Sequence, residues 1–84
     1  MDCPKKAEGI EISEIEGGYM AYQRDRDKVH YLNNTAVLVL ELCNGNNTGP
    51  RIAELVHKAY GLPDDIYANV EEIIAMFRKE NLVG

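Results

Sequence analysis

The chain has 84 residues and a formal net charge of −5, with 14 Asp and Glu against 9 Lys and Arg. A chain this short buries only about 60–65% of its unfolded surface, which makes one modest core and leaves no room for a deep catalytic cleft. The acidic balance argues against nucleic acid as a ligand, because phosphate binding relies on a basic footprint. No apolar run reaches the ~18–20 residues that span a bilayer, so no membrane partner is expected.

The opening MDCPKKAEG lacks the apolar segment of a secretory signal. Two cysteines, Cys3 and Cys43, are too few for a disulfide scaffold, and a reducing, cytoplasmic setting is the expectation. Residues 1–8 carry Pro4 and two lysines with no periodicity and read as a flexible N-terminus. A single domain is expected over 9–84. From Gly9, Ile10 and Ile12 alternate with polar neighbours and predict a half-buried strand. Ile15 breaks the alternation and predicts a bulge or strand end near Glu14. Gly17-Gly18 is a hairpin signal, Tyr19 to Gln23 a second strand, "RDRDK" a charged turn, and Val29 to Leu32 a third strand. Two hairpins in series make a three-stranded antiparallel meander.

Asn33-Asn34 switches the chain to helix, since asparagine caps a helix N-terminus by accepting from an otherwise unpaired amide. The helix that follows is apolar from Thr35 to Cys43 except at Glu41, and it stops at Asn44-Gly45, a left-handed exit. A helix apolar all round must be covered on several sides, so it forms the centre of the core. Thr48 caps a second helix, with Pro50 in its first turn and Ile52, Leu55, Val56 and Ala59 as its buried stripe. Gly61 ends it. Asp64 or Asp65 caps a third helix whose stripe is Ile66, Val70, Ile73, Ile74 and Phe77, with Leu82 and Val83 closing it off. The fold class is therefore α+β: a three-stranded antiparallel sheet followed by three helices, winged helix-turn-helix-like in its order.

Chemistry is sparse. Cys3, Cys43, His30 and His57 have no metal-ligand spacing and read as structural thiols and surface histidines. No phosphate-binding glycine pattern occurs. Asp64-Asp65 suit a helix N-terminus, and Glu71-Glu72 a solvated face. No cofactor, no metal and no catalysis by this chain alone are expected. The third helix carries Asp64, Asp65, Glu71, Glu72 and Glu80 against only Arg78 and Lys79. A helix entering the major groove presents Arg, Lys, Asn or Gln, so a winged-helix DNA-binding regulator is the alternative and not the leading reading.

The outer strand "KVHYL" has no proline and one charge, which leaves its edge free to accept an extended peptide as a fourth strand. A loop, the N-terminal tail or a second copy covering that edge, the last as a homodimer, is the competing reading. The run "VHYLNNTAVLVLELCNG", the helix and turn "IAELVHKAYGLP" and the closing "NVEEIIAMFRKENLV" resemble the PqqD-like family of peptide chaperones, also called RiPP recognition elements. The family pattern has Leu-Asn, Thr-Ala and an aliphatic helix, then Leu-Cys-Asp-Gly. Leu32-Asn33, Thr35-Ala36, Leu42-Cys43 and Gly45 match it, as do Thr48, Ile52, Val70 and Leu82-Val83. Asn44 and Asn69 stand where the family usually has Asp, and "KENLV" replaces its usual Glu-Gly-Leu.

The resemblance implies capture of the leader of a ribosomally made precursor peptide, antiparallel along the third strand and against the last helix. Presentation to a modifying enzyme, often a radical SAM protein, follows. The peptide-binding residues it implies are Lys28, Val29, His30, Tyr31 and Leu32, with main-chain bonds along that whole stretch. At ~100° per residue the last helix offers two flanks, Asn69, Ile73 and Met76 on one and Tyr67, Ile74 and Arg78 on the other. Met76, an adaptable apolar side chain, favours the first.

Overall fold

In a computed structural model, which describes residues 3–60 and 66–84, three strands precede three helices: β1 (Ile10–Ile15), β2 (Gly18–Gln23), β3 (Lys28–Leu32), α1 (Asn34–Leu42), α2 (Gly49–Tyr60) and α3 (Ile66–Lys79). The Gly61 stop and the Asp64 or Asp65 cap lie outside the described residues, as do the side chains of Ile66 and Tyr67. The expected α+β order is the one observed.

The sheet has the order β1-β2-β3, antiparallel throughout. β1 runs unbroken to Ile15, which pairs with Gly18, so of the bulge or strand end expected near Glu14 it is the strand end that is found, one residue on. Ile15 occupies the face of the sheet opposite Ile10 and Ile12, and that face is uncovered; an apolar residue out of phase marks a second apolar surface there. The turn is Glu16-Gly17, with Gly17 at φ +87, and Gly18 already belongs to β2. A Cβ on Gly18 would meet the Leu32 carbonyl oxygen at 2.7 Å, so only glycine lets β3 end this close.

The inner face presents Ile10, Ile12, Tyr19, Ala21 and Leu32 to the helices. α1 begins as expected: the Asn33 side chain accepts from Ala36 N–H at 2.8 Å. Its Ala36, Val39 and Leu40, with Cys43 just beyond, form the middle of the core, and Gly45 at φ +85 carries the chain out. Burial pushes the Cys43 thiol up to about 11, offset in part by the Arg78 guanidinium. In α2, capped by Thr48 Oγ1, the buried residues are Ile52, Ala53 and Val56; Ala59 is exposed, because the buried stripe turns toward Ala53 rather than Ala59.

α3 buries Val70, Ile74 and Phe77, and a fully buried Phe contributes roughly 2–3 kcal/mol. Its C-terminus closes with Leu82 N–H donating to the Phe77 carbonyl and Asn81 N–H to that of Arg78, with Asn81 at φ +60. This is a Schellman close in which Asn takes the left-handed position usually held by glycine.

Residues 4–7 are not the loose end expected from their composition. Lys6 N–H donates to the Cys43 carbonyl, Ala7 N–H to that of Leu82, and Lys5 and Gly84 bond to each other in both directions. Pro4 is buried and Lys6 pairs with Glu41 at 3.6 Å. Main-chain bonds tie this strap down, and they need no pattern of side chains.

Candidate functional site

Which groups β3 offers at its open edge follows from the pairing on its other side. Along a strand, successive residues aim their N–H and C=O at opposite neighbours. Arg24 N–H donates to the Gly9 carbonyl at 3.1 Å, one step beyond the Ile10–Gln23 pair, so the even-numbered residues of β2 bond to β1. Tyr19, Ala21 and Gln23 therefore bond to β3, where their partners are Leu32, His30 and Lys28. What remains for the open edge is Val29 and Tyr31, each with one N–H and one C=O. Of the five residues expected to give main-chain bonds to a ligand, two face that way.

The side chains divide by the same parity. Lys28, His30 and Leu32 lie on the inner face and Val29 and Tyr31 on the outer. Leu32 is only 6% exposed and belongs to the core, whereas Val29 is 43% and Tyr31 75% exposed. His30, expected at the surface, is half-buried and shares a 2.6 Å hydrogen bond between its Nε2 and Gln23 Oε1. The other histidine, His57, is also half-buried.

Gln23 is the polar residue that the sequence alone did not single out. It is almost fully buried, and its Nε2 donates to the carbonyls of Glu80 at 3.0 Å and Asn81 at 3.2 Å. Both donors are thereby committed to α3, so Oε1 is left to accept from His30, which fixes that ring with its proton on Nε2. One side chain thus fastens the C-terminal end of α3 to the sheet and holds the inner face of β3. Its signal was available: a glutamine at an inward strand position, in phase with Tyr19 and Ala21.

The two flanks of α3 have different surroundings. On one, Ile74 is buried, and with Pro4, Pro50, Glu71, Ala75 and Arg78 it lines a cleft of about 330 Å³ against the start of α2. The other flank carries Asn69, exposed, Ile73, half-buried against the core, and Met76, 46% exposed. One helical turn beyond Met76 the same flank reaches Glu80, whose carbonyl Gln23 holds. Gln23 thus bonds on one side to His30 of β3 and on the other to the carbonyls just past the end of α3. The eight expected residues therefore form two groups, one on β3 and one on α3, with Gln23 between them; Leu32 alone has its side chain withdrawn.

The edges of the sheet also differ in charge. β1 carries Glu11 and Glu14, with Glu8 and Glu16 flanking it, while β3 itself carries Lys28 alone, with Asp25, Arg26 and Asp27 in the turn before it. Carboxylates along β1 protect it from stray pairing, and β3 has no such guard. Among the described residues, no helix is long and apolar enough to cross a membrane.

Fold and edge together define a small winged-helix-like domain whose β3 edge is unpaired and carries no carboxylate. The chain belongs to the family of coenzyme PQQ synthesis protein D (PqqD), which it matches over residues 18–83. Among curated proteins, none matches the sequence. Two solved structures share the fold. One is a lasso peptide synthetase B1 complexed with the leader peptide, at 12% identity and TM-score 0.79, covering 99% of each chain. The other is TbiB1 in complex with the TbiA(beta) leader peptide, at 9% identity and TM-score 0.76, covering 94% of this chain and 93% of the other.

Proposed function

We propose that this chain is a non-catalytic chaperone that captures the leader of a ribosomally synthesised precursor peptide by strand addition to β3 and presents it to a modifying enzyme. The observation that carries the reading is the unpaired β3 edge, where Val29 and Tyr31 turn two N–H and two C=O groups outward; the Asn69–Ile73–Met76 flank of α3 is proposed to supply the side chains that select the ligand. Main-chain bonds of this kind give affinity without regard to sequence, and flanking side chains give selection. Family membership and the leader peptides in the two similar structures support it. Lys28 and His30 act through their inner-face side chains, and Leu32 supports the strand from the core.

The modifying enzyme is a radical SAM protein in the version of the proposal that the PqqD resemblance favours. That partner supplies the iron–sulfur chemistry, and the setting is the cytoplasm, where the two free thiols persist. A DNA-reading role is disfavoured by the exposed Glu71 and Glu72 on α3 and the net charge of −5.

The test is an amide NMR titration of labelled protein with the synthetic leader half of the short precursor encoded beside it. Shifts concentrated at Val29, Tyr31 and the Asn69–Met76 flank are expected. Shifts confined to α2, or none at millimolar peptide with the edge paired in a dimer, would refute strand addition.

A further inference from the structure

The outer face of the sheet is apolar where it reaches the open edge. Met20 pairs with Tyr31 and Tyr22 with Val29, so two apolar cross-strand rows run from β2 to β3 and end there uncovered. Next to them Gly18, with no side chain, leaves a hollow of about 460 Å³ between Ile15 and Tyr31. Ile15 is itself 36% exposed. α1 packs on the opposite face, where Ala21 and Leu32 are buried. The two β3 residues that turn their main chain to the edge, Val29 and Tyr31, are the same two whose side chains stand on this outer face.

We propose that the outer face is a second specificity surface for the leader, with Val29 and Tyr31 selecting apolar side chains at two leader positions separated by one residue. This rests on the strand-addition reading. In an antiparallel pair, residues directly opposite each other put their side chains on the same face about 5 Å apart. A strand bonded to Val29 and Tyr31 therefore places the two residues opposite them on the outer face, extending the rows of Tyr22 and Met20. The residue between them is on the inner face, toward His30 and the Ile73–Met76 flank. The leader is gripped on both sides of the edge, and its recognition segment has the pattern apolar-out, inward, apolar-out. A bulky side chain beside Tyr31 leans into the hollow over Gly18. The occupant is one extended peptide, as in the two similar structures that hold a leader peptide, and a second copy pairing β3 to β3 is the other outcome of the test.

The probe is a display library of random twelve-residue peptides, selected on the wild-type chain and on the variants Tyr31→Lys and Val29→Lys. Both positions are exposed, and circular dichroism confirms that each variant is folded. Wild type is expected to enrich peptides with apolar residues at i and i+2. Each lysine variant is expected to bind those peptides about fivefold more weakly and to shift one of the two positions toward Asp or Glu, the intervening position staying unchanged. Enriched peptides whose i and i+2 preferences survive both substitutions would overturn the outer-face inference and leave strand addition standing. Failure to enrich any peptide, with a sedimenting dimer that Tyr31→Lys dissociates, would overturn both and assign the face to a second copy.

Discussion

Proline at neighbouring positions of β3 separates the two sides of the strand. His30 N–H bonds to the buried Ala21 carbonyl within the sheet, whereas Tyr31 N–H faces the open edge. His30→Pro therefore leaves a buried carbonyl unpaired, at about 1–3 kcal/mol, and loses the bond to Gln23, worth roughly 1 kcal/mol more. Against a total stability of roughly 4–13 kcal/mol for a chain this size, His30→Pro is expected to be largely destabilised. Tyr31→Pro gives up only the cross-strand contact with Met20, about 0.2–1 kcal/mol, and stays folded. Its loss appears in binding: compared with Tyr31→Ala, which has the same missing ring, it lacks one main-chain donor to the ligand, about 1 kcal/mol or roughly fivefold in Kd. Urea unfolding followed by circular dichroism reads the first effect. Fluorescence polarisation of a labelled library-selected peptide reads the second, with His30→Ala as the control for the Gln23 bond. If His30→Pro unfolds at the same urea concentration as Tyr31→Pro, or if Tyr31→Pro binds as Tyr31→Ala does, the parity assigned to β3 is wrong.

Gln23→Ala is expected to cost about 2–4 kcal/mol, because it strands His30 Nε2 and the carbonyls of Glu80 and Asn81; hydrogen exchange should then rise first at Glu80–Leu82, and unaltered protection there would contradict the anchoring role. Gly18→Ala must push the Leu32 carbonyl aside and is expected to lower stability by about 1–3 kcal/mol, read as a drop in Tm. For Cys43 the folded pKa, about 11, lies above the ordinary value of 9.0, so its contribution to stability is fully present below pH 9 and is lost as pH rises through 11. Iodoacetamide should accordingly label Cys3 well before Cys43 at pH 8, and equal labelling of both in the native protein would contradict the burial.

Much of the fold is local and therefore legible. The Asn33 cap, the apolar α1, the Thr48 cap and the Val70–Ile74–Phe77 stripe each rest on contacts within a few residues, and each is found. The rest depends on which residues meet across the chain. Ile15 left a bulge and a strand end both open, because an uncovered, apolar outer face cannot be seen in one strand's periodicity. The N-terminal strap is held by main-chain bonds, which every residue type makes. Ala53 and Ala59 are chemically alike, and packing against neighbouring elements decides which is buried. The candidate residues could be assigned from sequence to a strand and a helix flank, but the division of β3 into Val29 and Tyr31 outside and Lys28, His30 and Leu32 inside needed the register of all three strands. Asn81 concealed a helix end that glycine would have announced.

The mutual bonds of Lys5 and Gly84 have a practical meaning. They bring the two ends of the described chain to one spot, beside the strap that leads into β1 and so away from the β3 edge. A polypeptide leaving from either end departs from the same place. The domain is thus a plug with both leads on one side, a geometry that suits joining at either end or insertion into a surface loop.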